Sequence, residues 1–145
     1  MVCLGNICRS PLAEGILKSK SKNINVDSAG TAGYHIGNKP DIRSIEIAKK
    51  YNLDISNQRA RQFNTNDFNI YDKIYAMDND NYSKIISLAE NQKEIDKVDL
   101  ILNESYPNQY KSVPDPYYGG EKGFENIFHL LNNACEEIIE KYEKR

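Results

Sequence analysis

The stretch Val2-Cys3-Leu4-Gly5-Asn6-Ile7-Cys8-Arg9-Ser10-Pro11 constrains this chain more than any other. Gly5 and Asn6 both tolerate left-handed backbone angles, so a loop built on them can curl until successive N–H groups face one centre. Ser10 is a good helix N-cap and Pro11 suits the first helical position, which predicts a loop emptying into a helix that starts at Pro11. Converging amides, a positive helix end and the Arg9 guanidinium together make a site for a tetrahedral dianion. The same field favours the ionised form of a thiol at its mouth, which marks Cys3 as a nucleophile. A lone cysteine is ordinarily a core residue. What sets Cys3 apart is the coincidence of loop, arginine, cap and proline within ten residues. A Walker-type nucleotide loop fits poorly, because no Gly-Lys-Ser/Thr is present.

The rest of the chain reads as strands alternating with helices. Leu12 with Ile16 and Ala13 with Leu17 recur at i,i+4 and predict a helix to about Lys20. Ile24 to Ser28 alternates apolar with polar and predicts a strand, ended by Ala29-Gly30-Thr31-Ala32-Gly33. Asp41 is read as the cap of a helix over 42–51, residues 53–62 as irregular, and Thr65 as the cap of a short turn through Phe68. A strand is expected over 73–77, then a helix capped by Asp78, a short helix over 92–97 and a strand over 99–102. Phe124, Ile127, Phe128, Leu131, Cys135, Ile138, Ile139 and Tyr142 recur at helical spacing, which makes Cys135 a core residue. This alternation predicts an α/β sandwich with parallel pairing, whose ligands gather beyond the carboxyl ends of the strands. The Cys3 loop lies at that edge.

A chain of 145 residues with no linker or repeat is read as one domain. Its net charge of −2 argues against a dedicated nucleic-acid binder. Three cysteines without zinc spacing, and no apolar run of signal or membrane length, point to a cytoplasmic protein with reduced thiols and no membrane contact. Residues 103–123 have no clear pattern, and loops of that length are usually functional. Within them, Val113-Pro114-Asp115-Pro116-Tyr117-Tyr118-Gly119-Gly120 stiffens the backbone around Asp115. A solvated surface turn is the ordinary reading of such a segment. Beside an anion-binding cysteine loop, the Asp115 carboxylate reads instead as general acid and then general base.

Cys3 to Pro11 together with Asp115-Pro116-Tyr117-Tyr118 resembles the low-molecular-weight protein tyrosine phosphatases. The likeness extends through Val26 to Thr31, Ala60-Arg61-Gln62, Asp67-Phe68 and Met77-Asp78, so it covers nearly the whole chain. It implies a three-layer sandwich around a four-stranded parallel sheet in the order 2-1-3-4, with the phosphate-binding loop after strand 1. It also implies hydrolysis of phosphotyrosine through a cysteinyl-phosphate, with no metal and no cofactor. Cys3 is then the nucleophile, Arg9 and the loop residues Leu4, Gly5, Asn6, Ile7, Cys8 and Ser10 bind the phosphate, and Asp115 is the acid. Ser28 supports the loop through Asn6, and Tyr34, Tyr117 and Tyr118 resemble the aromatic walls around a phenyl ring. The partner implied is a phosphotyrosine protein, with a bacterial tyrosine kinase as the example the family suggests.

Two departures from the family pattern stand out. Gln58 takes the place of a histidine bonded to the loop asparagine, and its amide is expected to reach Asn6 instead. Only Met1 and Val2 precede Cys3, where relatives carry several apolar strand residues, so the first strand is expected to be truncated and the native product to carry a short apolar extension. Two other functions compete. An arsenate reductase of the same fold would use the same cradle but needs further thiols to pass a disulfide outward. A silent phosphotyrosine-binding module would need neither Cys3 nor Asp115. Cys8, sharing the loop with the nucleophile, either captures an oxidised Cys3 as a protective disulfide or merely packs under the loop.

Overall fold

The computed structural model describes residues 1–116 and 119–143. Strands β1 (Val2–Cys3), β2 (Ala29–Gly30), β3 (Ile74–Ala76) and β4 (Val98–Leu100) form a parallel sheet in the order β2-β1-β3-β4, as expected. Val2 stands opposite both Ala29 and Ala76, and Tyr75 opposite Asp99.

The two-residue period of the strands divides them between two apolar layers. Cys3 and Tyr75 face Leu12, Ile16, Ala48, Ile127, Leu131 and Ile138, which come from α1 (Arg9–Lys20), α2 (Ile42–Lys50) and α6 (Gly120–Tyr142). Val2, Ile74, Ala76 and Val98 face the other way, onto Phe63, Phe68 of α3 (Asp67–Ile70) and Ile85 of α4 (Asn79–Leu88). A last short helix, α5 (Gln92–Ile95), leads into β4. Leu12, Ile16, Ile127 and Leu131 are fully buried, each worth about 1.5–3 kcal/mol of transfer free energy. Both faces of the sheet are covered, which is what a parallel sheet requires.

Two carboxylates cap helices as expected. Asp41 accepts the Arg43 amide at the start of α2, and Asp78 accepts the Asn81 amide at the start of α4. Helix α1 differs: it begins at Arg9, with Cys8 in the cap position and no side-chain cap bond. Ser10 therefore lies inside the first turn, fully buried, and its hydroxyl serves the cysteine instead. Pro11 shares that turn, where a missing N–H costs nothing.

The strand expected over 24–28 does not form. The ladder starts at Ala29, which stands opposite Val2 and donates its amide to the Met1 carbonyl (3.0 Å). Ile24 and Val26 still turn inward against the α1/α6 layer, so their alternation reflects burial without pairing. The last strand ends at Leu100, and Ile101–Asn103 is a tight 3-10 turn. Ile101 and Leu102 are buried in either geometry, so the apolar run could not separate the two. Asn66, not Thr65, precedes α3, and α6 begins at Gly120, one turn before its first apolar residue.

Candidate active site

The loop after β1 is shaped from outside. The Cys3 carbonyl accepts the Thr31 amide (2.9 Å), Leu4 that of Ala32 (2.9 Å) and Ile7 that of Asp41 (2.8 Å), while the Cys8 carbonyl accepts the Ser44 hydroxyl (3.2 Å). All peptide bonds among the described residues are trans, so each carbonyl opposes the N–H that follows it. With these four carbonyls bonded outward, the amides of Leu4, Gly5, Cys8 and Arg9 turn to the inside of the loop. They join the N-terminus of α1, which has no side-chain cap and no acidic residue in its first turn. Such an array accepts an anion. Asn6 makes the turn with φ of 58°. Gly5 is not left-handed; it leaves room for His35, whose ring carbon would lie 2.9 Å from a Cβ there. Gly30 lets β2 approach the loop, since a Cβ would stand 2.7 Å from the Leu4 carbonyl oxygen.

Inside the loop, Cys3 Sγ lies 3.0 Å from Ser10 Oγ, both buried. Asn6 Nδ2 donates to Ser10 Oγ (2.8 Å) and Ser28 Oγ (2.9 Å), as the resemblance implies for Ser28. Gln58 does not reach Asn6. Its amide donates to the Pro11 carbonyl (3.0 Å), and the Asn6 side-chain oxygen is taken by the backbone amide of Arg61 (3.0 Å). A main-chain donor has replaced the side chain that the sequence suggested.

Arg9 is 5% exposed, and one guanidinium nitrogen donates to Asp78 Oδ2 (2.7 Å) and to the Val113 carbonyl (2.9 Å). Those two acceptors fix the plane of the fork, so it meets an oxyanion in one orientation. Val113 is itself buried and donates its amide to the Met77 carbonyl (2.7 Å). Asp115 follows two residues later, exposed, with buried Pro116 behind it. The loop bearing Asp115 is thus rooted on the residue that steadies Arg9. Tyr34 is 77% exposed, two residues beyond Ala32 and its bond to Leu4. Tyr117 and Tyr118 lie outside the described residues.

The three thiols are unlike one another. Burial, with the Asp41 carboxylate adding to it, pushes the Cys8 thiol up to about 12. Burial does the same to Cys135, fully enclosed and directed at the Ala13 carbonyl, which is also pushed up to about 12. Cys3 alone ends a strand at a ring of inward amides. Reading the sequence missed the links made by Asp78 and the Arg61 amide. Asp78 carried a local signal only as a helix cap, because nothing near it in sequence points to Arg9.

A thiol, a guanidinium and a ring of amides around one centre suit transfer of a phosphoryl group to sulfur. Known proteins agree. The family model described as low molecular weight phosphotyrosine protein phosphatase matches residues 1–145. The human low molecular weight phosphotyrosine protein phosphatase is 38% identical over 147 residues, covering 97% of this chain and 92% of its own length. The low molecular weight protein-tyrosine-phosphatase YfkJ of Bacillus subtilis is 36% identical over 149 residues, covering 99% and 94%. The crystal structure of a protein tyrosine phosphatase from Entamoeba histolytica, with Hepes in its active site, superposes with a TM-score of 0.90 at 38% identity, covering 99% and 94%.

Proposed function

This chain belongs to the low-molecular-weight phosphotyrosine protein phosphatases, and we propose that Cys3, Arg9 and Asp115 carry that hydrolysis here. The observation that supports these roles is the set of loop carbonyls bonded outward, which leaves four amides facing the thiol of Cys3. Sulfur attacks phosphorus in line, Arg9 and the loop amides hold the equatorial oxygens, and Asp115 protonates the departing phenolate. Water then displaces Cys3 from phosphorus, giving its proton to Asp115. Because a phenol has a pKa of about 10, protonation as it leaves contributes roughly 10²–10⁴-fold. Tyr34, with Tyr117 and Tyr118, is assigned to the walls around the phenyl ring. An arsenate reductase relay finds no support, since Cys135 is fully buried.

The substrates are phosphoproteins. The family likeness extends the proposal to a phosphorylated bacterial tyrosine kinase, tested by loss of its phosphotyrosine on adding the enzyme. No helix among the described residues is long and apolar enough to cross a membrane. We assign the enzyme to the cytoplasm, where its cysteines remain reduced. Hydrolysis of p-nitrophenyl phosphate and of a phosphotyrosine peptide tests the residue roles. Cys3→Ser is expected to abolish turnover and Asp115→Ala to lower kcat. Full activity in Cys3→Ser would end the mechanism, and an unchanged kcat in Asp115→Ala would remove the acid.

A further inference from the structure

Asn79 opens helix α4 one residue after Asp78, and the reaction above gives it no part. Its backbone amide donates to Ser112 Oγ (3.2 Å), and its side-chain nitrogen donates to the same oxygen (3.1 Å) and to the Tyr110 carbonyl (3.2 Å). A carboxamide nitrogen has two protons and a hydroxyl oxygen two lone pairs, so both groups are used in full. Residues 110–112 are thereby strapped to the start of α4, directly ahead of Val113-Pro114-Asp115. Tyr110 is held there against its preference. Its φ of 53° lies in the left-handed region, which an aromatic residue adopts only where contacts impose it. Those contacts are the bond from Asn79 and one from its own amide to Asn103 Oδ1 (3.2 Å).

The strap sets the angle at which the chain enters the span that carries Asp115. Val113 is buried and bonded through its amide to Met77 and through its carbonyl to Arg9. Pro114 has no N–H to bond. The next backbone anchor is Pro116, also buried, whose carbonyl accepts the Gly119 amide (3.1 Å). Two anchors define an axis, and a span held only at its ends can turn about it. The Asp115 carboxylate stands a side chain's length off that axis, so a turn of about 20° moves it by roughly 1 Å, enough to spoil a catalytic alignment. The bonds from Asn79 oppose that turn by fixing the chain before Val113.

We propose that Asn79 is a positioning residue: acting through Ser112 and Tyr110, it aims the Asp115 carboxyl at the leaving oxygen. This rests on the assignment of Asp115 as general acid above. In that step the sulfur of Cys3 forms its bond to phosphorus, and the P–O bond to the phenyl ring breaks with its electron pair left on oxygen. That oxygen takes the Asp115 proton. A phenolate stabilised by nitro groups leaves as the anion and does not need the proton. Asn79 therefore matters for phosphotyrosine and not for a dinitrophenyl ester, whereas a fault at Arg9, which holds the phosphate, slows both alike.

The test compares kcat/KM, which reports the first step, for a phosphotyrosine peptide and for 2,4-dinitrophenyl phosphate. Asn79→Ala and Ser112→Ala are each expected to lose about 10-fold on the peptide, part of the roughly 10²–10⁴-fold that a general acid supplies, and to stay within about 2-fold of the parent on the dinitrophenyl ester. Ser112→Thr keeps the hydroxyl and should match the parent on both. The two residues act through one clasp, so the double variant should lose much less than the product of the single losses. Asn79, Tyr110 and Ser112 are exposed, so the urea midpoints should stay near the parent's. If Asn79→Ala does not fold, Ser112→Ala carries the same comparison. An equal loss on both substrates, full activity on the peptide, or losses that multiply would overturn the proposal. Asp115→Ala separates the two failures. An equal loss there on both substrates removes the acid, and the role of Asn79 with it; a loss confined to the peptide, beside parental activity in Asn79→Ala, removes only the clasp.

Discussion

Asp78 joins helix α4 to Arg9, so its substitutions should separate a folding effect from a catalytic one. Its Oδ2 accepts from Arg9 (2.7 Å) and its Oδ1 from the Asn81 amide (2.7 Å). With its amide assigned so that nitrogen rather than oxygen faces the carboxylate, the buried Asn81 side chain donates to both oxygens, at 3.0 and 3.3 Å. Losing the cap costs about 1 kcal/mol. Stranding the Asn81 amide costs ~1–3 kcal/mol, and leaving Arg9 without its anionic partner ~1.5–3 kcal/mol. One carboxylate supplies all three, so the effects do not simply add, and Asp78→Ala is expected to destabilise by about 3–5 kcal/mol. Asp78→Asn keeps an oxygen for the cap and should cost ~1.5–3 kcal/mol. In catalysis the two should be alike, because both leave Arg9 steadied by the Val113 carbonyl alone. Losing that orienting bond lowers kcat/KM by about 10- to 100-fold. Urea denaturation followed by circular dichroism, beside kcat/KM for p-nitrophenyl phosphate, measures both. Parental kcat/KM in Asp78→Asn would refute the steering role, and equal stability of the Asn and Ala variants would refute the cap.

Two further outcomes are expected. Burial works to raise the Asp27 carboxyl, but bonds from the Ser28 amide (2.8 Å), the Tyr71 hydroxyl (2.9 Å) and Arg61 (3.1 Å) hold it below its ordinary value. The unfolded chain then binds more protons than the folded one as pH falls, so this contribution is full above about pH 4 and is lost in more acid solution. Asp27→Asn should flatten the acid fall of the urea midpoint, and an unaltered slope would count against it. At neutral pH, iodoacetamide should modify Cys3 and spare Cys8 and Cys135, whose thiols are pushed up to about 12. Peroxide should then give a Cys3–Cys8 disulfide. Peptide mapping reads both, and finding only irreversible sulfinic acid at Cys3 would exclude the bridge.

What the sequence made legible was local. Asp41 and Asp78 signalled their helices because a cap acts within three residues, and the period of Phe124 to Tyr142 marked the longest helix. Alternation at Ile24 and Val26 reported burial correctly but could not report pairing, which depends on the neighbouring strand. Ser10 shows the same limit: a hydroxyl can cap a helix or serve a thiol, and only the packing decides. Gln58 failed for a different reason. The group that took its place at Asn6 is a backbone amide, which every residue except proline carries and no residue type reveals. The contacts of Arg9 with Asp78 and Val113 span 69 and 104 positions, beyond any local pattern.

The anion site is written largely in main chain, and that has an evolutionary consequence. Replacing Leu4 or Cys8 changes a side chain but leaves its amide in place; only proline deletes one. Leu4, 38% exposed at the rim, can therefore drift toward new substrate flanks while the phosphate cradle stays intact. In the proposed mechanism, chemistry and selectivity reside in different atoms of the same loop residues. Lineages can then change what they dephosphorylate by single substitutions without passing through an inactive ancestor.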